Sequence, residues 1–204
     1  MVWNNIKKIG GLAFFVLLVS ACGDIGGSGQ CGGAGGTGGC LRIENIAPED
    51  QDGDFKTSNV DVLGEICDSS TKLVFDHTAK VKISYKPFPG SGIKPEELLP
   101  VSLKKHAISY AIASCPGGGC PNLPVKTFSQ TIDLSGGGSV TPELPFFTLQ
   151  QKDEYVRVLG GPVDQFPSYI ATYTLTGADS SGNPVKAEAS AEFTIGNYTK
   201  CTTQ

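Results

Sequence analysis

The sequence predicts an all-β protein built as an antiparallel β-sandwich, and three observations lead there. Late in the chain, two runs alternate apolar and polar side chains with a period of two, and a turn-rich octet separates them. From residue 41 onward prolines and glycines punctuate the chain, and no stretch of ten or more residues keeps a clean 3.6-residue period. Six of the seven cysteines form an even set suited to disulfides in an exported domain.

In chain order, Lys7 and Lys8 give a positive start, residues 9–19 run without a charge, and small Ser20 and Ala21 precede Cys22. A basic start, an apolar run and a small-residue exit make a secretory signal over residues 1–21. The apolar run is shorter than the roughly 20 residues that span a bilayer as a helix. The segment Val19-Ser20-Ala21-Cys22 resembles the lipobox of bacterial lipoproteins. That resemblance implies cleavage before Cys22, lipid on its sulfur and acylation of the new amino terminus. It implies a place in the bacterial cell envelope. Gly23 after the cysteine leans toward the outer membrane, on its periplasmic face or the cell surface, and Asp24 one place later weakens that lean.

Residues 22–39 read as the lipidated cysteine and a tether. Positions 23–39 hold ten glycines in seventeen residues, a flexible composition with a typical reach of about 20–25 Å. Losing Lys7 and Lys8 with the signal takes the formal charge from −4 to −6. A mildly acidic chain without a basic run argues against nucleic acid and against binding anionic headgroups by charge. Membrane attachment is therefore expected through lipid alone.

Residues 40–204 are expected to form the sandwich. Candidate strands are 41–46, 60–67, 79–85, 107–114, 126–134 and 155–159. In 107–114, Ile108, Tyr110 and Ile112 share a face; in 126–134, Phe128, Ile132 and Leu134 do. Pro95-Glu96-Glu97-Leu98-Leu99 suits one helical turn with proline at its start. Tyr169, Ala171, Tyr173 and Leu175 then alternate with polar or β-branched neighbours, as do Val185, Ala187, Ala189, Ala191, Phe193 and Ile195. Residues 177–184 between them are turn formers, so the two runs predict a hairpin. This closing stretch, residues 169–195, resembles the last hairpin of immunoglobulin-like or fibronectin type III-like domains. Residues 41–204 exceed the roughly 100 residues of such a domain. The excess is expected as long loops or extra strands in 86–100 and 134–153.

With Cys22 lipidated, Cys31, Cys40, Cys67, Cys115, Cys120 and Cys201 remain for three bridges. Cys115-Pro-Gly-Gly-Gly-Cys120 suits a local clasp. Cys31 and Cys40 are candidates to close a second small loop, leaving Cys67 and Cys201 to join an early strand to the C-terminus. The spacing of Cys115 and Cys120 is not the redox spacing of two intervening residues.

Asp50, Asp52, Asp54 and Asp61 fall at positions 1, 3, 5 and 12 of a calcium loop, and the stretch resembles EF-hand-like or dockerin-like loops. Phe55 stands where the turn glycine belongs, so the competing reading is a solvated acidic turn. His77 reads as a surface residue and His106 as a residue at a strand entrance. Neither accompanies a nucleophile motif or a second histidine suited to zinc. The glycine clusters lack the lysine and serine of a phosphate loop, and no cofactor is expected. Phe146 and Phe147 are adjacent; a regular strand points only one of them inward, which makes them candidates for a contact anchor, with core packing as the default reading.

These readings converge on a non-enzymatic, lipid-anchored envelope protein that presents a disulfide-stapled sandwich to a protein or polysaccharide partner, with no nucleic-acid role. The alternatives are an envelope hydrolase acting on glycan or protein, and an accessory subunit of an electron-transfer complex.

Overall fold

The computed structural model describes residues 32–33, 38–63, 65–67, 70–72 and 74–198. Their strands are β1 (Gly32–Gly33), β2 (Gly39–Pro48), β3 (Asn59–Asp61), β4 (Glu65–Cys67), β5 (Ser70–Lys72), β6 (His77–Pro87), β7 (Val101–Ser114), β8 (Lys126–Leu134), β9 (Ser139–Val140), β10 (Glu143–Phe147), β11 (Ser168–Asp179) and β12 (Pro184–Gly196). A 3-10 turn occupies Pro95–Glu97, at the expected place. One short helix, α1 (Leu149–Asp153), runs on into a π-helical turn, Glu154–Val158. Among the described residues no helix is long and apolar enough to cross a membrane.

Two sheets pack face to face, an all-β sandwich. The first has the order β1-β2-β6-β10, with β9 beside β10 on the same edge of β6. The second has the order β3-β12-β11-β7-β8. β3 lies parallel to β12, and the other pairings are antiparallel. β4 and β5 form a separate two-stranded hairpin.

The expected hairpin of the last two runs is β11 and β12, paired from Ala178↔Pro184 to Ser168↔Thr194. The strands expected at 41–46, 79–85, 107–114 and 126–134 lie within β2, β6, β7 and β8. The excess expected in residues 134–153 is present as two extra strands, β9 and β10, followed by α1. Two expectations need correction. Residues 60–67 divide between β3 and β4. Residues 155–159 are helical up to Val158 rather than a strand. The helix starts at a reciprocal cap: the Thr148 hydroxyl accepts from the Gln151 N–H at 3.4 Å, and Gln151 Oε1 accepts from the Thr148 N–H at 3.0 Å.

Bulges decide which side chains reach the core. A register shift between Ile43 and Asn45 lets Ile43 and Ile46, three apart, both face inward, each fully buried. A shift between Leu103 and Lys105 does the same for Leu103 and His106. Gly177 sits at the matching irregularity of β11; a Cβ there would stand 2.0 Å from the Ser102 carbonyl oxygen. The core joins Leu41, Ile83 and Tyr85 of the first sheet to Ile108, Tyr173 and Phe193 of the second.

The strand registers define two ends. Gly39 pairs with Pro87, Val101 with Asp179 and Leu134, and the Ser180 N–H reaches the Pro100 carbonyl, all at the end where β2 begins. Pro48 pairs with Ala79, Phe147 with His77 and Ser114 with Ser168 at the other. Ten residues of β2 at about 3.3 Å each separate the two ends by roughly 30 Å.

Candidate functional site

The end far from the start of β2 gathers the chemistry of the domain. It holds the acidic loop 49–58, the disulfide loop after β7, and α1 with the segment leading to β11.

Cys115 and Cys120 form the expected clasp, with 5.8 Å between their Cα atoms. Gly117, Gly118 and Gly119 inside it have φ of +76°, +78° and +78°, a run that glycine alone adopts without strain. Cys40 is disulfide-bonded as well. Cys22, Cys31 and Cys201 lie outside the described residues, and of Cys67 only the backbone strand is described.

The four aspartates of the calcium reading do not form a ligand shell. Asp50 is buried, and its own loop takes its oxygens: Oδ1 accepts from the Asp52 N–H at 3.1 Å and the Asp54 N–H at 3.0 Å, and Oδ2 accepts from the Thr57 hydroxyl at 3.2 Å. Burial pushes the Asp50 pKa up, but these bonds outweigh it and hold the carboxyl below its ordinary value. Asp52 and Asp54 are exposed, with Lys56 paired to Asp54, while Asp61 is buried on β3. Among the described residues no three His, Cys, Asp or Glu side chains converge as metal donors.

Phe146 and Phe147 are both fully buried, so neither is a contact anchor. The register of β10 against β6 shifts between Pro145 and Phe147, and this break in the pleat turns both rings inward. Phe146 meets Phe193 edge-on at 4.9 Å, and Phe147 meets Tyr110 edge-on at 6.0 Å.

His77 is fully buried rather than at the surface. Its Nδ1 lies 2.8 Å from the Glu49 carbonyl oxygen, and its ring stacks on Phe75 with centroids 4.6 Å apart. Nε2 is buried without a hydrogen-bond partner. Burial, helped by the Lys152 charge, pushes the His77 pKa down to about 4. Lys152 on α1, which no sequence pattern singles out, is 2% exposed. Its Nζ donates to the Phe75 carbonyl at 2.6 Å. Burial drives its pKa down to about 7 against the pull of Asp61, Asp76 and Glu49. Asp76 anchors the helix, accepting from the Leu149 N–H at 2.6 Å. A cavity of about 320 Å³ opens beside Lys152, between α1 and the residues flanking the β4–β5 hairpin.

His106 sits inside β7, 1% exposed, stacked on Phe128 with centroids 4.9 Å apart. Both its ring nitrogens are buried without partners, and burial alone pushes its pKa down to about 4.

The fold also builds a cationic cluster that the composition hides. On the outer face of the first sheet, Arg42, Lys82 and Lys86 surround Glu44 at 3.2, 3.0 and 3.4 Å. The Lys82 bond is the largest influence holding the Glu44 carboxyl down at about 2. The lysines at 80, 82 and 86, all on one side of the alternation in β6, were the available signal.

Of the seven large apolar side chains left exposed among the described residues, Ile112, Val125, Leu149, Val158, Phe166 and Ile170 stand at the far end, and Leu99 at the other. Phe166 is also the one non-glycine residue at positive φ, +50°, among those described. Such a backbone costs about 1–3 kcal/mol, supplied by the surrounding fold. Its ring packs 5.1 Å from that of Tyr198 and over Gly196, where a Cβ would come within 2.3 Å of it. No protein-family model matches the chain, and no curated protein and no solved structure matches it.

Proposed function

We propose that the chain is a non-enzymatic lipoprotein of the bacterial cell envelope, held by lipid on Cys22 and lifted by its glycine-rich tether. On this reading it presents an immunoglobulin-like sandwich whose far end binds a protein or polysaccharide of the envelope. Gly23 after the cysteine supports the outer membrane as its site, a lean that Asp24 weakens. The observation that carries the reading is polarity. β2 begins at one end, where β1, from the glycine-rich stretch, pairs with it, and the exposed apolar side chains and the clasped loop stand at the other, roughly 30 Å away. Sandwich domains commonly bind through end loops held by a rigid scaffold, and clustered exposed apolar side chains mark interaction surfaces. The immunoglobulin-like assignment is supported by strand order. β6 lies between β2 and β10, and β11 between β12 and β7, with a further strand at each edge of the second sheet.

The experiment is site-specific photocrosslinking in intact cells. A photoreactive residue at Val125 or Phe166 is expected to capture a discrete envelope component, and one at Pro89 or Ser91, at the end where β2 begins, is not. Equal capture from both ends, or none from the far end, contradicts the proposal.

A further inference from the structure

β6 carries Lys80, Lys82 and Lys86 on its outward side. The outward position it skips, Ser84, is filled from the neighbouring strand, because Arg42 of β2 pairs with Ser84 in register. Alternate residues of a strand stand about 6.7 Å apart, so the four cations follow one another level by level over about 20 Å. They stand in single file. At the same levels β2 has Ala47, Asn45 and Cys40, and the strands on the other side of β6 have Glu143 and Ser139.

Glu44 orders this row without closing it. The Glu44 side chain is only 15% exposed, whereas the Arg42, Lys82 and Lys86 side chains around it are 43%, 51% and 57% exposed. It engages one nitrogen of each. A guanidinium has five N–H donors and an ammonium three, so most donors remain open to solvent on side chains already held in place. Cations ordered in advance lose less freedom when an anion binds. Lys80 meets Glu143 only at 3.8 Å, with both side chains about half exposed. Two carboxylates among four cations leave the row positive.

The shape of the row narrows the partner. A surface of anionic headgroups engages basic residues spread over a whole face, and here the flanking positions are neutral or acidic. An extended peptide adds to a sheet at an unpaired edge, and β6 is hydrogen-bonded on both sides, by β2 and by β9 and β10. A polysaccharide needs no backbone pairing, and an extended one with acidic groups on its sugars presents anions in a line.

We propose that the outer face of the first sheet is a second binding surface, on which Lys80, Lys82, Arg42 and Lys86 hold an extended anionic polysaccharide. This surface is separate from the exposed apolar side chains of the far end, and it does not depend on how the chain is attached.

The test titrates the full chain in detergent with alginate, a linear polyuronate, at low salt and follows binding by calorimetry. Binding is expected, weakening as salt rises, with none to neutral dextran. Lys82→Gln combined with Lys86→Gln is expected to weaken it by about tenfold or more, and Lys80→Gln, which leaves the Glu44 cluster intact, by about fivefold. Lys104→Gln combined with Lys105→Gln makes the same change in charge on exposed residues of the other sheet, and is expected to change affinity by less than about twofold. Equal losses in the two double variants would reduce the effect to net charge and overturn the proposal. Failure to bind alginate overturns it as well. So does poly-L-glutamate binding as tightly as alginate, since the row would then suit an acidic protein.

Discussion

The Tyr173 hydroxyl on β11 donates to the Pro145 carbonyl on β10 at 2.8 Å, tying the middle of one sheet to the edge of the other. Tyr173 is fully buried, and its ring lies nearly parallel to that of Phe146, 6.3 Å between centroids. Burial holds its hydroxyl far above the ordinary tyrosine pKa, so it stays protonated and keeps donating. Tyr173→Phe keeps the ring and strands the carbonyl, which costs about 1–3 kcal/mol. Urea unfolding is expected to show a lower midpoint with an unchanged slope. An unchanged midpoint would mean that the bond contributes nothing net.

Acid sensitivity follows from two buried histidines. His77 and His106 have folded pKa values of about 4 against 6.5 for a free histidine. The unfolded chain therefore binds protons first as pH falls. Stability is full above about pH 6.5, declines below it, and this contribution is gone once pH passes about 4, by up to about 3 kcal/mol per histidine. No charged group contributes to the His106 shift, whereas Lys152, Asp50 and Asp76 act on His77. His106→Leu is expected to flatten the stability profile between pH 6.5 and 4 while costing little at pH 7, because no hydrogen bond is lost. An unaltered profile in that variant contradicts the assignment.

The clasp closes a short loop, and the chain-entropy treatment gives such a loop about 2 kcal/mol. Cys115→Ala together with Cys120→Ala is expected to lower thermal stability by about that amount and leave the far-ultraviolet circular dichroism unchanged. Loss of β signal would show that the clasp nucleates β7 and β8 rather than trimming a connection between them.

Asp50 organises its loop with its own oxygens, so chelator is expected to leave the melting temperature unchanged. Asp50→Ala removes the acceptor for two N–H groups and the Thr57 hydroxyl, at a cost of about 1–3 kcal/mol. Its depressed pKa gives that stabilisation a sign: present above the unfolded-state value, and lost as pH falls through the lower folded one. A melting temperature that drops on adding chelator would restore the metal reading.

The β11–β12 hairpin was legible because Val185 to Ile195 obeys one period, with turn residues placed where the chain reverses. The clasp was legible because three glycines between two cysteines leave little else for the segment to do. Phe146 and Phe147 were misread because alternation assumes an unbroken pleat, and the shift at Pro145 breaks it. His106 was hidden in the same way by the bulge after Leu103. The helix at residues 149–158 escaped because its apolar residues are too few to show a period, although Thr148-Leu-Gln-Gln151 carried a capping signal. Lys152 had no local signature. Its burial depends on Phe75, 77 residues earlier, and on Asp76 beside it, which only the fold brings to α1.

Attachment at Cys22 is the claim on which the display role rests. Intact mass and N-terminal peptide mapping of the protein extracted from membranes test it most directly. The account predicts a chain that begins at Cys22, carries acyl mass on that residue and partitions into detergent. An unacylated chain that partitions into water would contradict it.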